Sequence, residues 1–210
     1  MTLRQIVGLL SQPAKQVRAA CLAHLIARHL PYRLLEDALN PLHGMATEQL
    51  HGNSIRLSSG SAIDAIMASC AIPAVYPPVL VGSDFLIDGA IASNTPIMAA
   101  VTLGASRLIV LPTGYACSLT VPPASAIGNA LHALNMLIAH QLVQDLELLA
   151  GKVAVLTVPP LCPLTVSPID FSHSAELIDR SYEASTRWLE EDHPPTGQAA
   201  YLGAHGHATD

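Results

Sequence analysis

The chain has 210 residues, of which 50% are hydrophobic and 12% are charged, a composition suited to one packed domain and unsuited to extensive disorder. The sequence contains ten Lys and Arg residues and sixteen acidic residues, so no basic stripe is present to neutralise a nucleic-acid backbone. The most apolar window, residues 62–82, contains Asp64 and three prolines, which excludes an uninterrupted membrane span of about 20 residues.

Periodicity and turn residues predict helices alternating with strands. Pro13 begins a helix that Pro31 stops, and Ser61 with Asp64 forms a capping box at the start of another. Thr95 is predicted to cap the helix that starts at Pro96. The predicted helices cover about residues 13–28, 62–72, 96–103, 127–149 and 174–190, and the predicted strands cover 42–47, 55–57, 79–81, 85–87, 108–111 and 153–158.

The order of these elements predicts the fold class. The apolar run at 108–111 follows a helix, which is typical of a parallel strand covered on both faces. We therefore predict an α/β domain with a mainly parallel sheet flanked by helices. The domain is expected to span residues 1–192, and the Gly-, His-, Pro- and Ala-rich residues 193–210 are predicted to form a flexible tail.

The cysteine spacing and the N-terminal residues indicate the cellular compartment of the protein. The cysteines have no paired spacing typical of zinc or redox motifs, and are predicted to be small buried hydrophobes. The opening Met-Thr-Leu-Arg lacks the apolar core and cleavage site of a signal peptide. We therefore expect a cytoplasmic protein. The cysteines are Cys21, Cys70, Cys117 and Cys162.

Asp88 is the carboxylate that most suggests chemistry. It ends an apolar strand, precedes the permissive Gly89, and lies shortly before a helix. In open α/β sheets, ligands gather at the carboxyl ends of strands. The alternative is that Asp88 only organises the turn through nearby backbone amides, and spacing alone leaves both interpretations open.

The segments around Asp88 resemble a known family. Residues 68–78 read ASCAIPAVYPP, and residues 86–96 read LIDGAIASNTP. The order of AS-x-A-x-P, a further proline, DG[GA] and N-x-P resembles the second half of the patatin-like phospholipase domain, as do residues 41–60 before it. The resemblance covers residues 30–110 and continues more loosely to residue 189.

This resemblance implies a patatin-like fold and a serine lipid acyl hydrolase with a Ser-Asp dyad, no catalytic histidine, and no metal or organic cofactor. Asp88, in the motif Asp88-Gly89-Ala90, matches the family's aspartate, which accepts the proton of the nucleophile's hydroxyl. Asn94 and Pro96 are expected to support the turn and to start the next helix. The substrate would be a phospholipid or neutral-lipid ester, and contact with a membrane surface follows from that substrate class.

The family's Gly-x-Ser-x-Gly nucleophile elbow and its glycine-rich oxyanion loop are absent from the 210 residues. We therefore expect a patatin-like domain that is incomplete at its N-terminus, inactive by itself, and able to self-associate through an unpaired sheet edge. The alternatives are a catalytically inactive lipid- or partner-binding module and a translated fragment with no function of its own. The serines near glycines are predicted to serve turns and caps; they are Ser54, Ser58, Ser59, Ser61 and Ser106.

One further departure from the family pattern and several histidines have no chemical role in this interpretation. Glu48 stands where relatives tend to have Asp, a change without catalytic consequence. His43, in an apolar strand, is expected to be a satisfied core histidine. The remaining histidines considered lack a third ligand or an HExxH motif, so no metal site is predicted; they are His132, His140, His205 and His207.

Overall fold

The computed structural model describes residues 12–73, 75–113, 122–162, 164, 166, 171–191 and 202. The chain divides into two compact units on either side of the Asn94–Thr95 bond. The helices are α1 (Gln12–His29), α2 (Ala62–Ser69), α3 (Ala90–Ser93), α4 (Ile97–Thr102), α5 (Ala126–Leu149) and α6 (Ser174–Glu190). The strands are β1 (Gly44–Glu48), β2 (Ser54–Leu57), β3 (Val79–Val81), β4 (Asp84–Asp88), β5 (Arg107–Val110) and β6 (Ala154–Thr157), and short 3₁₀ turns cover Leu35–Asp37 and Phe171–His173.

The first unit is built on a four-stranded antiparallel sheet with the order β2-β1-β4-β3. Its turns suit glycine, because Gly52 and Gly82 adopt φ values of +77° and +64°. Helix α2 begins at Ser61, whose hydroxyl accepts a hydrogen bond from the Asp64 amide, as the capping box predicts. Buried apolar side chains of the sheet and of α2 form a common core; they are Ala46, Ala68 and Leu86.

The second unit contains a two-stranded parallel sheet, β5 and β6, joined through α5. The α5 helix begins at Ser125, whose hydroxyl accepts a hydrogen bond from the Gly128 amide. Leu202, in the predicted tail, is buried in the core of this unit, and the other residues of 193–210 lie outside the described part. The core cluster consists of Ile97, Val110, Leu142, Leu149 and Leu202.

The prediction of a mainly parallel sheet is wrong. The α/β class holds, but the larger sheet is antiparallel and only β5 and β6 run parallel. The error arises because β1–β2 and β3–β4 are hairpins with short turns, which force antiparallel pairing. The predicted burial of 108–111 on both faces is also wrong, because Ile109 and Leu111 are 72% and 69% exposed.

The cysteine prediction is likewise wrong for the described residues. Cys21, Cys70 and Cys162 are exposed, whereas Cys117 lies outside the described part of the chain. The long predicted helices are confirmed, since α5 and α6 lie within one residue of their predicted bounds. Helix α4 begins one residue later than predicted, with Pro96 in the N-cap position.

Candidate active site

Asp88 is the last residue of β4 and is only partly exposed. It pairs with Ala46 of β1 in the sheet register, and its amide donates a hydrogen bond to the Ala71 carbonyl at 3.1 Å. The segment that follows α2 therefore lies beside the end of β4. Asp88 therefore has backbone contacts on two sides, with β1 and with the segment that follows α2.

The two oxygens of the Asp88 carboxylate have different surroundings. Oδ1 accepts a hydrogen bond from the Ala90 amide at 2.7 Å, which organises the turn into α3. Oδ2 has no hydrogen-bond donor, and no cation pairs with the carboxylate, within the part of the chain that the structure describes. Burial raises the pKa of Asp88, against the lowering effect of the Ala90 amide. The turn role thus leaves one oxygen able to accept a proton.

Thr47 fixes the backbone around this carboxylate. Its side chain is buried, and its hydroxyl donates to the Asp88 carbonyl at 2.9 Å. The same oxygen accepts from the Ala92 amide at 3.2 Å. One hydroxyl of β1 therefore connects the end of β4 with helix α3.

Glycine is needed at position 89 because the backbone of β1 lies very close to it, and not because of an unusual backbone angle. Its φ of −64° is accessible to any residue. A Cβ at this position would lie 2.7 Å from the carbonyl carbon of Met45 and even closer to its oxygen. The glycine of the motif therefore lets β4 turn directly against the backbone of β1.

Cys70 is a neighbour of Asp88 that the sequence analysis did not connect with it. The residue is the C-cap of α2 and is exposed. Partial burial raises the pKa of its thiol, and the negative charge of Asp88 raises it further. The signal that could have indicated this was the ASC segment itself, which places a thiol in the family motif.

His43 and Ser58 also meet at the Asp88 end of the sheet. Gly44 pairs with Leu57, so the residue before β1 and the residue after β2 lie side by side. His43 Nδ1 lies 2.9 Å from Ser58 Oγ, and Arg56 Nε donates to the same oxygen at 3.3 Å. The expectation of a core histidine is wrong because His43 is exposed. Sequence reasoning missed the pair because it depends on strand register.

Glu48, at the other end of β1, organises the β1–β2 turn. Its carboxylate accepts hydrogen bonds from the amides of Leu50 and His51 at 2.7 and 2.8 Å, and lies 2.8 Å from His51 Nδ1. The Leu50 amide is the main cause of a lowered pKa of Glu48, which burial opposes. Glu48 therefore stabilises the hairpin on which Thr47 lies.

Asn94 is exposed directly after α3, and Pro96 immediately precedes α4. Their supporting roles stay predictions. No group of three or more His, Cys, Asp or Glu side chains suitable for a metal occurs among the described residues, which include His132 and His140 but not His205 and His207. None of the described helices has the length and apolarity needed to cross a membrane.

Comparison with known families identifies the region that contains this site. The family model for patatin-like phospholipase matches residues 3–101. The match includes Asp88, Gly89 and Ala90 as well as the helix–strand segments that position them. The resemblance deduced from the motifs is therefore confirmed, and residues 3–101 are similar to the patatin-like phospholipase family.

Proposed function

We propose that the chain contributes the aspartate of a patatin-like lipid acyl hydrolase, with Asp88 as the proton acceptor of a Ser-Asp dyad. The substrates would be phospholipid or neutral-lipid esters at a membrane surface, hydrolysed without a metal or organic cofactor. The observation that carries the proposal is the Asp88 carboxylate, which keeps one oxygen without a donor among the described residues and lies within the family match.

The proposed chemistry uses the raised pKa of Asp88. A serine hydroxyl transfers its proton to the carboxylate as its oxygen attacks the ester carbonyl, and backbone amides stabilise the oxyanion. Protonated Asp88 then gives the proton to the departing alcohol, leaving an acyl-enzyme. Water then attacks the acyl-enzyme while Asp88 accepts its proton, and Asp88 returns that proton to the serine oxygen as the fatty acid leaves. A carboxylate disfavoured by burial is a stronger base for both proton transfers.

The serine nucleophile of the proposed dyad is not identified in the sequence. No Gly-x-Ser-x-Gly segment occurs in the 210 residues. The proposal therefore gives Asp88 its catalytic role only where a serine of the same or another chain reaches it. Ser58 and His43 form a Ser-His contact at the Asp88 end of the sheet, but no oxyanion donors accompany them in the described contacts.

The test expresses the open reading frame with every in-frame codon upstream of Met1 and measures fatty-acid release from phospholipid vesicles and nitrophenyl esters. We expect Asp88→Asn to reduce turnover by at least about 100-fold, the range of a lost general base. Asp84→Asn, the same change at the start of the same strand, is the control and should leave turnover unchanged.

Two outcomes contradict this assignment. Retained hydrolysis in Asp88→Asn removes Asp88 from the mechanism. Asn can preserve the hydrogen bond from the Ala90 amide, so the variant is expected to keep its thermal transition. Loss of that transition together with activity would return Asp88 to a purely structural role.

A second candidate function is a catalytically inactive lipid- or partner-binding module. The missing nucleophile elbow favours it. The 210-residue chain is then expected to bind phospholipid vesicles while remaining unlabelled by a fluorophosphonate. Robust ester turnover lost on fluorophosphonate treatment would exclude this candidate, and mapping the label would identify the serine.

A further inference from the structure

A cavity of about 470 Å³ lies in the second unit, far along the chain from Asp88. Because β5 and β6 are parallel, both strands end at the same edge of their sheet. Residues directly after these strands, including Leu111 and Val158, line one side of the cavity. Leu177, Ser181 and other residues of α6 line the opposite side.

The lining has no charge among its described residues and is mostly aliphatic. Three prolines contribute to the wall, and proline has no amide hydrogen to present to a ligand; they are Pro112, Pro159 and Pro160. A charged group placed here would meet no counter-charge among the described lining residues. An aliphatic chain would lose only contact with water, which is favourable.

Hydroxyl groups supply the polar part of the lining. Ser181 and Ser185 are one turn apart, so they share the face of α6 that Leu177 also occupies. Thr113 and Tyr182 add two further hydroxyls. These groups can donate to and accept from an uncharged oxygen at the end of an apolar ligand.

The position and size are also those of a ligand site. Cavities that hold small molecules have volumes of about 300–1,000 Å³ and are mostly apolar, with a few polar groups. In open α/β sheets they lie at the carboxyl ends of strands. The cavity combines these features with residues from three separate segments of the chain.

We propose that this cavity binds an unbranched, uncharged aliphatic chain that ends in a hydroxyl or ester oxygen. The aliphatic part packs against the prolines and leucines, and the oxygen meets the hydroxyls of α6. The cavity lining includes none of the residues around Asp88, so this proposal does not rest on the proposed function.

The chain carries its own reporter for the test. Trp188 is the only tryptophan in the sequence and lies one turn beyond Ala184, which lines the cavity. Titrating the full chain with straight 1-alkanols from hexanol to dodecanol should shift the fluorescence of Trp188 and release heat in calorimetry. Each added methylene is expected to tighten binding by up to about fourfold (~0.8 kcal/mol per methylene).

A matched pair of variants locates the site. Ala184→Leu enlarges a side chain of the lining and should weaken decanol binding at least about tenfold. Ala175→Leu, the same change on an exposed position of α6 outside the lining, should alter it less than about twofold. Decanoate should bind more weakly than decanol, and Asp88→Asn should leave decanol binding unchanged. Melting curves establish that both leucine variants fold.

The proposal is overturned by any of three results. These are the absence of both heat and fluorescence change, an affinity that does not depend on chain length, and equal effects of the two leucine variants. Binding that is retained when hydrolysis fails, or the reverse, separates this site from the one around Asp88.

Discussion

The two sheets of the molecule differ in how their strands are connected. In the first unit, the β1–β2 and β3–β4 pairs close through short turns, and the β1–β4 contact joins these hairpins. In the second unit, β5 and β6 are separated along the chain by α5, which lies in the connection between them. Local pairing leaves Thr47 and Asp88 in a fixed register, whereas the parallel pair leaves Ile109 and Leu111 largely exposed.

This difference shows that the candidate catalytic carboxylate lies on the more self-sufficient sheet. Antiparallel hairpins satisfy their backbone within neighbouring segments, but a two-stranded parallel sheet has few partners for its second face. We therefore infer that changes near Asp88 mainly affect the turn geometry and the stability of the first unit. Changes on the exposed face of β5 mainly affect association.

The largest stability effect is expected at the turn of the first sheet. Gly89→Ala should lower the free energy of unfolding by about 3 kcal/mol, since its Cβ would overlap the Met45 backbone. Gly82→Ala has open space but a φ of +64°, so a loss of about 1 kcal/mol is expected. Denaturant unfolding measures both. Equal losses would contradict the close approach at Gly89.

The two cores should be equally sensitive to cavity formation. Leu86 in the first unit and Leu142 in the second are almost fully buried. Replacing either by Ala is expected to lower the free energy of unfolding by about 2–3 kcal/mol. Chemical denaturation monitored by circular dichroism checks this. A loss below about 1 kcal/mol in Leu142→Ala alone would show that the second core is poorly packed.

Acid should affect the first unit through Glu48. A lowered native pKa means that the carboxylate stabilises the fold above its unfolded pKa near 4.5, and that this stabilisation is lost as the pH falls through the native value. Glu48→Gln should therefore reduce the acid dependence of the melting temperature. Glu176→Gln, at an exposed ion pair of α6, should reduce it less. A larger effect at Glu176 would contradict this ranking.

The smallest stability effect is expected on the exposed face of β5. Ile109→Thr should change the free energy of unfolding by less than about 0.5 kcal/mol, because the side chain is already exposed. It should nevertheless reduce self-association of the chain in sedimentation velocity, whereas Leu80→Thr on the exposed face of β3 should not. A monomeric parent chain would contradict self-association.

Sequence patterns predicted the long helices, the Ser61 cap, the turn at Asp88 and the family, because each depends on neighbouring residues. They indicated a hairpin-like pair at residues 42–47 and 55–57 but still predicted a mainly parallel sheet, since the β1–β4 pairing joins segments that are distant in sequence. The His43–Ser58 contact and the approach of Cys70 to Asp88 were missed for the same reason. Gly89 was predicted to serve through its permissive backbone. Glycine is needed there because a Cβ would overlap the backbone of Met45, which is distant in sequence.

The hydroxyl of Thr47 has a consequence for preorganisation. By joining the Asp88 carbonyl to the Ala92 amide, it links β1, the turn and α3 through hydrogen bonds. In the proposed mechanism, the backbone that carries the Asp88 carboxylate is therefore already ordered by folding, and little of its orientational entropy remains to be lost when an ester binds. Thr47→Val would preserve the shape while removing the hydrogen bonds of the hydroxyl, and faster hydrogen exchange at the Ala92 amide would report their loss.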